Sequence, residues 1–267
     1  MQTSDSPGAP APPEQPADGA GSVRSVERTL DLLTSLELSG QSLRLSDLSR
    51  LTGIHRATAQ RLLQVLERRG LVQRVHGRYQ IGVAAMPLAH AYVAGNSLTR
   101  AAYPILQELA HRSGETASLF VRLGWHRVVV HRVEGANPLR YTMPLGERLP
   151  LHIGAGRVIA AGMDPAELRQ LLDRVGEMRL ASGVVVTEEE LRQELARIRH
   201  QGFYVALAER HLSVGSVSAP VVAPDGSTSA VVVVTGSMDR LSDAWVKTMS
   251  VEVREAAQAL AAAYARV

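Results

Sequence analysis

The sequence predicts an α+β protein with two folded parts: a winged helix-turn-helix near the N-terminus and a larger domain built on an antiparallel sheet. Residues 46–82 contain two helical segments, a glycine turn between them and a basic two-stranded ribbon, the order of a winged helix-turn-helix. Downstream, strand-like segments are followed by helical segments and then by strands again. Ten arginines face five acids in residues 23–82, whereas the rest of the chain after them is nearly neutral.

The N-terminal end divides into a tail and a first helix. Residues 1–22 hold five prolines among Gly, Ala and Ser, and no cation. This composition predicts a disordered tail and does not match a secretory signal. Apolar residues then recur at helical spacing from about Val23 to Leu38. We expect this helix to pack under the helix-turn-helix pair, so that residues 23–82 form one DNA-binding domain.

The turn and the helix after it are the reason for predicting DNA binding. Gly53 stands where the tight crossing needs a residue that tolerates positive φ, and Gly70 follows the second helix. Apolar residues along that helix share one face, which leaves the opposite face free to enter a major groove. The outward face comprises Ala57, Gln60, Arg61, Gln64 and Arg68.

Individual roles follow from side-chain chemistry. Arg matches guanine and Gln matches adenine in the major groove, so the base-reading candidates are Gln60, Arg61 and Gln64. The residues expected to hold phosphates are His55, Arg56, Thr58 and Arg78. Two plainer interpretations stay open. Arg56 and Arg68 can serve solubility alone, and Arg61 can form a salt bridge to Glu27 or Asp31 of the first helix.

After the wing, the sequence predicts a helical linker over residues 83–97 and a sensor domain over residues 98–267. The linker is apolar and Ala-rich, with Pro87 tolerable near a helix start. The predicted strands form two hairpins, residues 116–123 with 127–133 and residues 214–222 with 229–235. Helices are expected at about residues 98–113, 156–163, 165–175, 187–200 and 244–264.

Several function classes find no support. The chain has no cysteine and no His-Glu-x-x-His segment, so we expect no disulfide, no metal site and no thiol nucleophile. Gly154-Ala155-Gly156 has Ile159 in place of a third fingerprint glycine, and no serine lies in a nucleophile elbow. No stretch has the length of apolar sequence that a membrane span requires. We therefore expect a cytoplasmic protein without catalytic residues, cofactor or membrane partner.

The residues resemble the isocitrate lyase regulator (IclR) family of bacterial transcription regulators over roughly residues 22–264. Thr52 to Leu63 is similar to the family's recognition helix, and Arg78 to Gly82 is similar to its wing ending. The matching segments of the second domain are Leu149 to His152, Gly156-Arg157, Gly202-Phe203, Glu209 and Ser218 to Val221.

The resemblance implies a GAF/profilin-like effector-binding and oligomerisation domain over residues 98–267. It also implies a nucleoid-associated homodimer or tetramer that represses genes at a near-palindromic operator in double-stranded DNA and responds to a small organic effector. The implied cavity lies between the sheet and the loop of residues 143–157. Its expected residues are Met143, Leu145, Leu151, Gly154, Ala155, Gly156, Ala206, Ser216, Ser218 and Thr235.

Two alternatives to that function remain, an enzyme acting on a small metabolite and a ligand-independent architectural DNA-binding protein. Within the expected cavity, the hydroxyls can instead satisfy sheet edges and the leucines can be plain core.

Departures from the family pattern bear on the effector. Acid-sensing members carry an Asp and a Cys where this chain has Ala206 and Ser216, and Ser213 replaces a common glycine. A cavity with fewer polar partners holds a small, highly polar acid poorly, because each unpaired polar group costs about 1–3 kcal/mol on burial. We therefore expect a larger or more apolar effector, aromatic or acyl. Its polar end should meet the backbone amides of residues 154–156 and the hydroxyl of Ser216 or Ser218.

Overall fold

The computed structural model describes residues 19–137, 139 and 143–265. They form two compact units, which divide between Pro87 and Leu88. The second unit therefore begins ten residues before the expected domain start at residue 98. Residues 1–18 of the expected tail lie outside the described residues.

The first unit consists of three helices and a two-stranded wing. Its elements are α1 (Gly19–Ser39), α2 (Leu45–Thr52), α3 (Arg56–Arg68), β1 (Val72–Val75) and β2 (Arg78–Ile81). The first helix thus begins four residues earlier than predicted. Gly53 between α2 and α3 has φ 68°, the left-handed conformation that this crossing was expected to need. The core joins one face of each helix to the wing, through Leu32, Leu48, Leu63 and Tyr79.

Two helices follow the wing. They are α4 (Ala85–Gly95) and α5 (Ser97–Ser113), and α4 crosses the division between the two units. Asn96 separates them and caps α5, because its side-chain oxygen accepts from the backbone N–H of Thr99 at 3.2 Å. No residue of α4 is buried.

The second unit is built on a six-stranded antiparallel sheet with the order β5-β4-β3-β10-β9-β8. Its elements after α5 are β3 (Thr116–Leu123), β4 (His126–Val133), β5 (Arg148–Pro150), α6 (Gly156–Ala161), α7 (Pro165–Arg174), β6 (Met178–Arg179), β7 (Val185–Val186), α8 (Glu188–Gln201), β8 (Tyr204–Leu207), β9 (Val214–Val222), β10 (Thr228–Ser237) and α9 (Asp243–Tyr264). Strands β6 and β7 form a separate small hairpin. Both predicted hairpins are present, whereas the short strands β5 to β8 were not predicted.

Alternation along the strands separates two apolar cores. Leu119 and its neighbours on one face pack against α5 and α9, as Leu106 and Val253 show. Phe120 and its neighbours on the other face pack against α6, α7 and α8, together with Ile159. The polar residues Thr116, Ser118 and Arg127 lie on this second face. Within the described ranges, no helix combines the length and the apolar character that crossing a membrane requires.

Candidate DNA-reading surface and ligand cavity

Helix α3 presents the surface that the sequence predicts for DNA. Ala59, Leu63 and Leu66 are buried in the first unit. The outward side chains exposed to solvent are Ala57, Gln60, Arg61, Gln64 and Arg68. Of the expected phosphate residues, Arg56 is exposed and Thr58 is partly exposed. His55 has a structural role as well, because its Nδ1 accepts from the backbone N–H of Ala57 at 3.4 Å and so caps the helix.

The sequence left open whether Arg61 is tied back to the first helix. In the described part of the first unit, no ion pair joins Arg61 to Glu27 or Asp31. The guanidinium of Arg61 therefore remains available for contacts outside the unit.

The wing ends in a tight turn whose central residues His76 and Gly77 have φ 49° and 77°. Positive φ at both positions is the geometry of a two-residue hairpin loop that matches strand twist. Arg78 is exposed, but its Nη1 donates to the carbonyl of Ser42 at 3.0 Å, so part of its donor capacity is already used. Arg74, which the sequence analysis did not select, is exposed and lies over the ring of Tyr79 at 5.4 Å.

The second unit contains a cavity on the sheet face that also carries α6. Its empty volume is about 740 Å³, which includes the open solvent at its mouth. Six expected residues line it: Met143, Gly154, Ala155, Ala206, Ser216 and Thr235. The other lining residues are Thr116, Ser118, Phe120, Arg127, Arg132, Leu139, Glu209, Arg210, His211, Val214, Gly215 and Val233.

Four expected residues do not line this cavity, each for a local reason. Leu151 is fully buried in the core, and Leu145 points to solvent with 62% of its surface exposed. Ser218 is fully buried, and its hydroxyl donates to the carbonyl of Tyr204 at 3.3 Å. Gly156 packs against the guanidinium of Arg127 and the backbone of Leu151. These four residues therefore lie outside the cavity lining, and their contact with an effector stays a prediction.

Of the three backbone amides expected to bind an effector, two already donate to acceptors within the protein. The N–H of Gly154 donates to Oε2 of Glu209 at 2.7 Å. The N–H of Gly156 donates to the carbonyl of Ile153 at 3.3 Å. A carboxylate side chain of the protein thus occupies the position that the sequence analysis assigned to the carboxylate of an effector.

Glu209 belongs to a buried polar network behind the cavity wall. Its Oε1 accepts from the hydroxyl of Tyr204 and lies 3.2 Å from Nη1 of Arg157. The side chains of Arg157 and Glu209 are only 6% and 8% exposed. Burial raises the pKa of Tyr204 well above its usual range, and the neighbouring Glu209 carboxylate adds to the shift. Tyr204 therefore stays protonated and donates to the carboxylate.

Arg127 is a buried cation in the cavity wall. Its Nη1 donates to the carbonyls of Pro150 and Ile153, the latter at 2.8 Å, and its guanidinium lies 5.5 Å from the ring centre of Phe120. Its Nε is buried without a hydrogen-bond partner. Burial lowers the pKa of Arg127 to about 9, and Arg210 lowers it further, although Glu209 and Glu147 oppose the shift. The side chain is still charged at neutral pH.

A row of hydroxyls crosses the sheet at the other end of the cavity. Thr235 of β10 is in register with Thr116 of β3 on one side and with Ser216 of β9 on the other. All three line the cavity. The hydroxyl oxygens of Thr116 and Thr235 are buried and have no hydrogen-bond partner. Buried hydroxyls without partners are costly in a folded protein, so a polar ligand atom that bonds to Thr116 or Thr235 would be favourable.

Seven polar residues that line the cavity were not predicted to bind the effector: Thr116, Ser118, Arg127, Arg132, Glu209, Arg210 and His211. Arg127 carried a usable signal, because it occupies the same strand face as the buried Val129. Charge at an inward strand position is unusual and indicates a partner or a function. Among the described residues, no group of three or more His, Asp or Glu side chains is arranged to hold a metal ion.

Two family models match the chain. One describes the IclR helix-turn-helix domain and matches residues 25–76. The other describes the bacterial transcriptional regulator IclR C-terminal domain and matches residues 90–262.

Individual proteins agree with these matches. The chain is 27% identical to the transcriptional repressor IclR of Escherichia coli (strain K12) over 93% of its own length and 92% of that protein. It is 25% identical to a putative IclR transcriptional regulator of Silicibacter sp. TM1040, with a TM-score of 0.80, over 90% of this chain and 96% of that one. An IclR homologue of Microbacterium hydrocarbonoxydans, solved in complex with 4-hydroxybenzoate, shares the fold at 20% identity and a TM-score of 0.72, over 91% of this chain and 100% of that one.

Proposed function

The chain belongs to the IclR family of bacterial transcriptional regulators, and we propose that it reads a near-palindromic operator through α3 and senses a small organic effector in the cavity of its second unit. It is a DNA-binding transcriptional repressor with an effector-binding domain, not an enzyme. The observation that carries the DNA-reading proposal is the exposed polar face of α3. Since its DNA partner lies in the nucleoid, we place the protein in the cytoplasm with it.

The contacts to DNA divide by chemistry. Gln60, Arg61 and Gln64 point away from the buried face of α3 and are proposed to read base edges. The proposed phosphate contacts are His55, Arg56, Thr58, Arg74 and Arg78. Within the wing, Arg74 supplies more of the free donor capacity, because Arg78 is partly committed to Ser42.

The protein is proposed to act as a homodimer or a tetramer of dimeric pairs. One recognition helix covers too little DNA to specify a genomic site, so two copies must bind half-sites about one helical turn apart, or a multiple of it. In support, α1 exposes an apolar stripe, with Val23, Val26 and Leu30 each more than half exposed. Exposed apolar stripes of this kind are typical of protein–protein contacts.

The effector is proposed to be an organic acid. One relative was solved with 4-hydroxybenzoate, and the cavity here contains cationic and hydroxyl side chains around an apolar centre. The ligand would act by binding one arrangement of the oligomer more tightly than another, which changes the affinity for the operator by the same coupling free energy.

The DNA-reading proposal is tested with an operator selected from random duplex DNA by the full-length protein. Replacing Arg61 by Ala should cost about 1–3 kcal/mol at the selected site and lower the preference for it over scrambled DNA. Arg74→Ala should weaken binding to both DNAs about equally, since a phosphate contact carries no sequence information.

The control is Arg197→Ala, which removes an exposed arginine of the second unit and should change neither affinity. If Arg61→Ala leaves the ratio of the two affinities as in the wild type, Arg61 does not read a base.

A further inference from the structure

We infer that the cavity of the second unit selects a monocarboxylate with an apolar middle and a second hydrogen-bonding group at its far end. Arg127 would bind the carboxylate, and the hydroxyls of Thr116 and Thr235 would bind the far group. The inference rests on the proposed effector function of the same cavity, but it places the acid on an arginine and not on the backbone amides of the loop.

The first support is the balance of charges around the cavity. Of the described residues, three arginines and one glutamate line it: Arg127, Arg132, Arg210 and Glu209. Each of these except Arg127 has an ion-pair partner. These pairs are Arg132 with Glu134, Arg157 with Glu209 at 3.2 Å, and Arg210 with Glu147 at 3.6 Å. Among the described residues, no carboxylate forms an ion pair with Arg127. A buried cation without a direct ion-pair partner is costly, so an anionic group of a ligand in contact with Arg127 would be favourable.

The second support is the position of the free donor. Arg127 is 2% exposed and lines the cavity. Two backbone carbonyls hold its Nη1, while its buried Nε has no partner in the protein. The two carbonyls fix the guanidinium plane without neutralising it. This N–H donor is charged, fixed in position and without an acceptor. It can therefore bind a carboxylate oxygen, because hydrogen bonds between charged groups are stronger than those between neutral groups.

The third support is the pair of orphan hydroxyls. Thr116 and Thr235 stand opposite each other on adjacent strands, so their side chains are neighbours about 5 Å apart. Both can donate and accept, and both are buried without a partner. A ligand hydroxyl or carbonyl between them would satisfy groups that are costly to leave unpaired.

The separation of the two ends sets the length of the ligand. The guanidinium of Arg127 lies over Phe120, four residues along β3 from Thr116. Four strand residues span about 13 Å between Cα atoms, a separation that favours a ligand longer than a two-carbon or three-carbon acid. Phe120, Val233 and Met143 line the space between and favour an apolar middle.

The test compares matched ligands by calorimetry on the full-length protein. The probes are 4-hydroxyphenylacetate, its neutral amide, phenylacetate, 6-hydroxyhexanoate and pyruvate. At least one of the two long hydroxy acids should bind. The amide should bind roughly 10- to 100-fold more weakly than 4-hydroxyphenylacetate, and phenylacetate roughly 10-fold more weakly, from the usual strengths of charged and neutral hydrogen bonds. The inference is overturned if neither hydroxy acid binds, if the amide binds as well as the acid, or if pyruvate binds most tightly.

Variants of Arg127 and Thr235 test where each end of the ligand binds. Arg127→Met should abolish the preference for acid over amide, whereas Arg127→Lys should keep part of it. Thr235→Val should leave that preference intact and remove the advantage of 4-hydroxyphenylacetate over phenylacetate. Because Arg127→Met can disturb the carbonyls that it releases, Thr235→Val is the decisive variant. Its matched control is Thr228→Val, a buried threonine of the same strand outside the cavity. Equal ligand preferences in Thr235→Val and wild type would contradict the assignment.

A DNA-binding titration separates this inference from the proposed function. If the long acids bind as expected but leave operator affinity unchanged, the ligand assignment stands and the regulatory role fails. If a neutral or short ligand changes operator affinity, the regulatory role stands and the ligand assignment fails.

Discussion

Replacing Glu209 by Gln should destabilise the second unit by about 3–5 kcal/mol, the usual cost of removing one partner of a buried ion pair. Glu209 accepts from three donors: the backbone N–H of Gly154, the hydroxyl of Tyr204 and the guanidinium of Arg157. Gln keeps the shape but removes the charge. The guanidinium of Arg157 is then buried without a countercharge. It is only 6% exposed, and one of its nitrogens already has no hydrogen-bond partner.

The double variant shows how much of that cost is electrostatic. Arg157→Met alone should also destabilise the unit, because it leaves the carboxylate of Glu209 buried with fewer donors. In Arg157→Met with Glu209→Gln no isolated charge remains. The double variant should therefore be more stable than the sum of the two single losses predicts, by about 0.5–3 kcal/mol, the range for coupled residues in one network.

Urea unfolding followed by tryptophan fluorescence measures these free energies. The chain has two tryptophans, Trp125 and Trp245, and both lie in the second unit. The signal thus reports that unit within the intact chain. The exposed pair Arg192–Glu188, 2.6 Å apart on α8, is the matched control. The coupling free energy from the corresponding cycle, Arg192→Met with Glu188→Gln, should be no more than about 0.5 kcal/mol. If the losses of unfolding free energy at Arg157 and Glu209 are additive, as expected for the surface pair, the two side chains are not energetically coupled.

Two further predictions concern assembly and acidity. Leu30→Glu should reduce the oligomer size seen by light scattering at micromolar concentration, because it places a charge in the exposed apolar stripe of α1; an unchanged mass would remove that stripe from the interface. Burial lowers the pKa of His152, and the neighbouring Arg157 lowers it further, so the unfolded chain binds more protons. The second unit should therefore keep its full stability above about pH 6.5 and lose stability as the pH falls below that value. His152→Gln should flatten that loss in urea unfolding between pH 7 and 5, and an equal slope in both proteins would contradict it.

The DNA-reading unit was predictable because its determinants are local. The buried and exposed faces of α3 follow from apolar residues spaced three and four apart. Gly53 indicates the turn, because glycine readily adopts the positive φ that the turn requires. Tight turns and amphipathic helices need only a few neighbouring residues to specify them. What the pattern could not reveal is that Arg78 is partly used by Ser42, 36 residues away.

The sheet was predictable only where its strands are long. The two hairpins at β3–β4 and β9–β10 alternate over eight or more residues, which is enough to separate two faces. Strand β8 has four residues and β5 has three, and in so few positions alternation carries little information. Their assignment needed the long-range pairing of β8 with β9 and of β5 with β4.

The ligand cavity shows why residue types alone cannot tell whether a backbone amide is available to an effector. The glycines at 154 and 156 had the composition of an anion-binding turn, but whether an amide is available depends on what else reaches it. Here Glu209, 55 residues away in sequence, accepts from Gly154 at 2.7 Å. The other oxygen of the same carboxylate lies 3.2 Å from Arg157, so both oxygens already have partners in the protein. Glu209 forms its ion pair with Arg157, and no ion pair involves Arg127 among the described residues; this difference is why we propose the guanidinium, and not the loop, as the site for an external anion. Which donor remains free for an anion therefore depends on hydrogen bonds and ion pairs between residues far apart in sequence, which residue types alone do not specify.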